Sequence, residues 1–177
     1  MRTSAEAEAR RVLAEHGIKT VPVPVERIAA RLGASISHRP FEDGVSGMLF
    51  RGDDDGMKLI GVNSSHSSTR QRFTIAHEIG HLLLHKGRPM ILDAPGRVNM
   101  RDSTSSQATD AEEIEANSFA AELLMPSERT VEEFRKRMSA KGDKKVERVV
   151  AELAKRFDVS PQAMQFRLVN LNLVLPG

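Results

Sequence analysis

The sequence predicts an α+β chain in which a short run of strands is enclosed by helices. Three observations carry that reading. Strand-like runs crowd into residues 34–63 and end in a hairpin with arms 45–51 and 57–63. Helical apolar periodicity governs most of the rest and is strongest over 69–86. The last fifty residues read as helices alone, with helix-turn-helix spacing over 146–170. The chain therefore divides into a body, 1–126, and a C-terminal helical extension, 127–177, expected to pack on it. A chain of 177 residues buries roughly 70% of its unfolded surface, enough for one core and a small appendage.

Residues 4–16 read as a helix with Val12 and Leu13 on its apolar face, closed by Gly17. Residues 21–24, Val-Pro-Val-Pro, are extended, because a residue before proline is pushed out of the α region. A short helix follows over 24–32, with Ile28, Ala29 and Leu32 as its stripe and Gly33 at its end. Residues 34–39 form a strand. The hairpin tip, Gly52-Asp53-Asp54-Asp55-Gly56, is read as a solvated turn. It lacks the alternating ligands and distant Glu of a calcium loop. Residues 112–124 are a helix stopped by Pro126, and 87–111 is expected to be a long polar loop. A charged helix over 130–138, a break over 140–145, and a helix pair over 146–157 and 160–170 complete the chain. Ser160 is a good N-cap and Pro161 suits the first turn.

Composition removes several classes of function. There is no cysteine, so disulfides, thiolate ligands and a cysteine nucleophile are excluded, and any metal must rest on His, Asp or Glu. There is no tyrosine or tryptophan. No apolar run approaches the ~20 residues of a membrane helix, and the first residues lack the apolar stretch of a signal peptide. A cytoplasmic protein without membrane contact is expected. The net charge of +2 is too balanced to imply nucleic acid. Residues 127–177 carry +4 and residues 1–126 carry −2, and all six histidines precede residue 86.

The chemistry concentrates in His77-Glu78-Ile79-Gly80-His81, an H-E-x-x-H pattern. Residues i and i+4 share a helix face, so both imidazoles can converge on one ion. Glu78 is one step round the helix, poorly placed to ligate but able to reach a water there. Zinc lowers the pKa of its bound water to about 7, and a carboxylate can take that water's proton. Thr74, Ile75, Ile79, Leu82 and Leu83 supply the apolar pattern that makes this a buried helix. Gly80 costs about 1 kcal/mol against Ala in a helix, so something is expected to pack close to it.

A catalytic zinc site needs a third protein ligand. His85 lies roughly 12 Å along the axis from His77, too far to share an ion with it, and is expected to pack or to support another ligand. The acidic helix offers Glu112, Glu113 and Glu115. Glu113 shares a face with Ala116, Asn117, Ala120 and Leu124, and the alanines permit a close approach to the first helix. Glu113 is therefore favoured over Glu115 and Glu112, with Asn117 as a hydrogen-bond acceptor for a ligand histidine.

These residues together resemble the ImmA/IrrE family of zinc metallopeptidases. The resemblance rests on Gly44-Val45-Ser46-Gly47, on residues 70–85 around the H-E-x-x-H, and on residues 113–126, Glu-Ile-Glu-Ala-Asn-Ser-Phe-Ala-Ala-Glu-Leu-Leu-Met-Pro. Residues 153–168 resemble the family's C-terminal helix pair. The resemblance implies a compact zincin-like, gluzincin-like metallopeptidase domain with a small sheet and an active-site helix. It implies zinc on His77, His81 and Glu113, with Glu78 as the catalytic base. It also implies cleavage of a protein partner, often a helix-turn-helix repressor. Relatives often stabilise the oxyanion with Tyr or His; with no Tyr here, His66, Arg70 and Arg72 are the candidates. Larger members add a C-terminal sensor domain, which this chain is expected not to carry.

Two competing functions are weighed against the peptidase. One is a DNA-binding regulator, with Gln162, Gln165 and Arg167 reading base edges. Direct nucleic-acid binding is not expected, because Phe157, Met164, Phe166, Leu168 and Leu171 suggest helices folded onto the body. The other is a zinc-bound module that sequesters a partner without cutting it. Glu78 argues against that. Two surfaces are expected to serve the substrate. One is the strand over 45–50, as an open edge for an extended peptide, with Gly44 and Gly47 leaving room. The other is a charged face of Lys144, Lys145, Arg148, Lys155 and Arg156.

Overall fold

The structure, a computed structural model, describes residues 4–42, 44–52, 56–86, 90–93, 103–139 and 145–175. The helices are α1 (Ser4–Glu15), α2 (Val25–Arg31), α3 (Ser68–Leu84), α4 (Ser103–Leu124), α5 (Ser127–Met138), α6 (Val146–Phe157) and α7 (Pro161–Asn170). The strands are β1 (Ala34–Arg39), β2 (Gly47–Arg51), β3 (Lys58–Asn63) and β4 (Met90–Asp93). The architecture is α+β, as the sequence predicts. The aspartates at 53–55 lie outside the described residues.

The strands form one sheet in the order β1-β3-β2-β4. β1 runs parallel to β3, and β2 is antiparallel to both β3 and β4. This corrects two expectations. The segment over 87–111 contains a strand and the first turns of α4, not a continuous loop. Met90-Ile91-Leu92 is the apolar signal within it, and its ladder with β2 decides its structure. As a result β2 is a central strand, hydrogen-bonded on both sides, and cannot accept a peptide along an edge. A proline at Met48 would break the sheet rather than probe the substrate.

Leu49, Ile60 and Val62 of the sheet and Ile75, Ile79 and Leu82 of α3 are buried in one core, with α3 packed on β2 and β3. On its other side α3 packs most extensively against α4, whose Ala116, Phe119, Ala120, Leu123 and Leu124 are fully buried. Two glycines set these distances. A Cβ on Gly80 would lie 3.2 Å from Ala116 Cα and 3.2 Å from Phe119, so α3 and α4 touch backbone to backbone there. A Cβ on Gly47 would lie 2.3 Å from the Thr74 methyl and 3.1 Å from Glu78 Oε1. Gly47 therefore makes room for α3 under the sheet, not for substrate. Ser67 caps α3, its hydroxyl accepting from Arg70 N at 3.4 Å, and Ser160 caps α7 through Ala163 N at 3.1 Å.

The C-terminal helices are tied to α4 by a buried ion cluster. Phe157, Met164 and Leu168 are fully buried. Arg167 is 4% exposed; its Nε donates to Met125 O at 3.0 Å and its guanidinium pairs with Glu122. Glu122 also accepts from Ser127 N at 3.2 Å and Ser127 Oγ at 3.1 Å, and pairs with Arg10 at 3.2 Å. α1, α4, α5 and α7 thus meet at one carboxylate. A buried Arg167 cannot read a base edge, which removes it from the DNA-reading candidates. Phe166 is not folded onto the body; it is 61% exposed. Lys145, Arg148, Lys155 and Arg156 are exposed, while Lys144 lies outside the described residues.

Candidate metal centre

α3 holds His77 and His81 one turn apart on the face that meets α4, and both are buried. Their Nε2 atoms lie 3.0 Å from each other. Glu113 enters from α4, with one oxygen 3.2 Å from His77 Nε2 and the other 3.2 Å from His81 Nε2. The three groups can place one ligand atom each within 4.8 Å of one another. Two imidazole nitrogens and a carboxylate oxygen form a hard-to-borderline donor set that suits zinc, and three protein ligands leave a position open. The site therefore fits a metal ion.

The electrostatics agree with that fit. Burial alone would raise the carboxyl pKa of Glu113. The hydrogen bonds and charges of His77 and His81 outweigh it and hold the carboxyl well below the usual range. Burial pulls the His81 imidazole below its ordinary value, with His77 and His85 adding to the effect and Glu113 opposing it. Both directions favour a neutral His81 beside an ionised Glu113, the forms in which these two groups ligate.

Around this group sit the remaining sequence candidates. Asn117 Oδ1 lies 3.1 Å from His77 Nδ1. His85 does not face His77; its Nδ1 is 2.9 Å from His81 Nδ1 and its Nε2 is 3.0 Å from Glu115 Oε2. Glu115 thus meets His85 rather than the ligand cluster, and Glu112 is not part of that cluster. Glu78 is fully buried, its carboxylate beside Gly47 of β2. Among the oxyanion candidates, Arg72 is engaged elsewhere: it donates to Val23 O at 2.9 Å and pairs with Asp158 at 3.1 Å. Arg70 donates to Ser46 Oγ at 3.0 Å, and His66 stands just before α3, its carbonyl accepting from Gln71 at 2.8 Å. Arg51 was not foreseen: it donates to His81 O at 2.7 Å and His85 O at 3.0 Å, closing the C-terminal turn of α3. An arginine in a strand carries no local sign of such a partner.

A groove of about 600 Å³ adjoins the cluster through Asn117. Phe73 of α3, Ala121, Met125, and Ala163 and Phe166 of α7 line it. Phe73 and His77 have ring centroids 6.2 Å apart, so the groove and the histidine pair are neighbours along α3.

The Peptidase_M78 family, described as the IrrE N-terminal-like domain, matches residues 15–169. The radiation response metalloprotease IrrE of Deinococcus radiodurans is 34% identical over 116 residues, 65% of this chain and 32% of that protein. The protein of the same name from Deinococcus deserti is 34% identical over 110 residues, 62% of this chain and 35% of that one. The uncharacterized immunity region protein 2 of Bacillus phage phi105 is 36% identical over 76 residues, 41% of each chain. The chain spans about a third of the length of the two Deinococcus relatives. Among solved structures, a Mycobacterium tuberculosis transcriptional regulator shares the fold with a TM-score of 0.60 at 18% identity, over 93% of this chain and 46% of that one.

Proposed function

The chain belongs to the Peptidase_M78 family of IrrE N-terminal-like domains, and from that premise we propose that it is a zinc-dependent endopeptidase acting on a protein partner. His77, His81 and Glu113 would hold the zinc. The observation that carries the reading is the convergence of these two imidazoles and one carboxylate from two helices, with Glu78 adjacent to His77. When bound, zinc supplies a Lewis acid that polarises a carbonyl and makes water nucleophilic at neutral pH. Glu78 takes the proton of the attacking water and delivers it to the departing amide nitrogen. Asn117 holds the His77 ring in orientation. Residues 1–126 form the metal-binding body, and α7 of the extension over 127–177 contributes lining to the adjoining groove.

The partner proposed is a helix-turn-helix repressor. The phage relative's name places it in an immunity region, which supports a regulatory substrate. Direct DNA binding loses support from the burial of Arg167. Among the described residues no helix is long and apolar enough to cross a membrane, and a cysteine-free chain suits the cytoplasm we propose for it. The test is incubation of the zinc-loaded protein with candidate helix-turn-helix repressors from its own genome, read by mass spectrometry. The wild type should make one defined cut, and Glu78→Gln should keep zinc while cutting about 10²-fold more slowly. A wild type that binds a repressor and leaves it intact would replace cleavage with sequestration.

A further inference from the structure

The structure points to a use for His85 and Glu115 that the ligand set does not include. Resting on the metal-site reading above, we infer that Glu115 and His85 form a positioning chain that fixes the tautomer of His81 and so directs its Nε2 lone pair at the ion.

A carboxylate oxygen has no proton to give, so at the 3.0 Å contact Glu115 Oε2 accepts and His85 Nε2 carries the hydrogen. A neutral imidazole has one N–H, so His85 Nδ1 is an acceptor. Across the 2.9 Å contact its donor is His81 Nδ1–H. With an ion in the site no proton is needed between His81 Nε2 and Glu113, so Nε2 is the bare, ligating atom; it lies 3.2 Å from Glu113 and 3.0 Å from His77 Nε2. In a metal-binding histidine, the hydrogen bond made by one ring nitrogen decides which nitrogen is free to ligate. Asn117 Oδ1 does the same for His77 from the other side, at 3.1 Å. Arg51 steadies the chain by gripping the carbonyls of both His81 and His85. His85 is buried, whereas Glu115 is half-exposed, so the chain runs from solvent to the metal site.

The test measures zinc affinity of the full-length protein by competition with a chelator, alongside ¹⁵N NMR of the imidazoles. NMR of the zinc-loaded protein should find His85 protonated on Nε2 and His81 on Nδ1. His85→Phe keeps a ring of similar size without the acceptor and should weaken zinc binding about 10–100-fold. Glu115→Ala, at a half-exposed position that leaves the fold intact, should weaken it about tenfold. Glu115→Gln should recover most of that, because its amide oxygen also accepts. The melting temperature of the zinc-free Glu115 variants should match the wild type. Wild-type affinity in both His85→Phe and Glu115→Ala, or a His85 proton on Nδ1, would overturn the inference. His77→Ala separates the two levels. If it loses zinc while the His85 and Glu115 variants keep it, only the positioning chain fails; if it keeps zinc, the metal-site reading fails as well.

Discussion

Gly80→Ala sets two known effects against each other where α3 crosses α4. In a free helix the change would stabilise by about 1 kcal/mol. Here the added methyl would stand 3.2 Å from Ala116 Cα, 3.2 Å from Phe119 and 3.3 Å from Ala116 O. Two of those three atoms belong to the α4 backbone, which cannot step aside as the end of a flexible side chain can. Overpacking of this kind costs about 1–3 kcal/mol, so the net effect should be a loss of up to about 2 kcal/mol. At this chain length each kcal/mol moves the melting temperature by roughly 2–4 °C. The same separation carries Glu113 on α4 away from His77 and His81 on α3, so zinc affinity should fall with stability. Calorimetry of the zinc-free protein and chelator competition read the two effects. Ala116→Gly should not rescue the variant, because the contact is with backbone atoms that glycine retains. A Gly80→Ala protein that melts higher than wild type and binds zinc equally well would refute the close crossing.

Three further outcomes follow from other contacts. Arg167→Ala should lose about 3–5 kcal/mol by denaturant titration, because Glu122 stays buried without its main partner; an unchanged midpoint would make the pair incidental. Gly47→Ala should lose about 1–3 kcal/mol, and combining it with Thr74→Ala should recover part of that, since the Thr74 methyl is the nearest obstacle; strict additivity in the cycle would show that the two do not touch. Reversing Lys145, Arg148 and Lys155 to Glu should slow cleavage of an intact repressor at low ionic strength, where the screening length exceeds about 10 Å. Cleavage of a short peptide spanning the scissile bond should stay the same, and equal rates on both substrates would reduce these charges to a solvated face.

Local chemistry made the central helices readable. The i, i+4 spacing of His77 and His81 and the i, i+3, i+4 spacing of Glu113, Ala116 and Asn117 fix which faces meet. Gly80 marked the close crossing because a glycine inside a helix needs a neighbour to explain it. What could not be read depends on partners distant in sequence. β4 is four residues long and owes its existence to the free edge of β2, so β2 looked like an edge until β4 was in place. The start of α4 is rich in Ser and Thr, weak helix formers that read as loop. Arg167 looked like a surface base-reader because neither Glu122 nor Met125 is near it in sequence. Phe166 looked like core, but its neighbours Met164 and Leu168 occupy the buried face of α7 and turn it outward beside the groove.

We propose that α3 and α4 together make one metal centre from two imidazoles and one carboxylate. Zinc-edge X-ray absorption on the loaded protein, with zinc content measured per chain, tests it most directly. One zinc per chain is expected, with two imidazole nitrogens and oxygen donors at about 2.0–2.2 Å, and Glu113→Ala should lose most of it. A third imidazole in the spectrum, or a Glu113→Ala protein that keeps its zinc while Glu115→Ala loses it, would contradict the account.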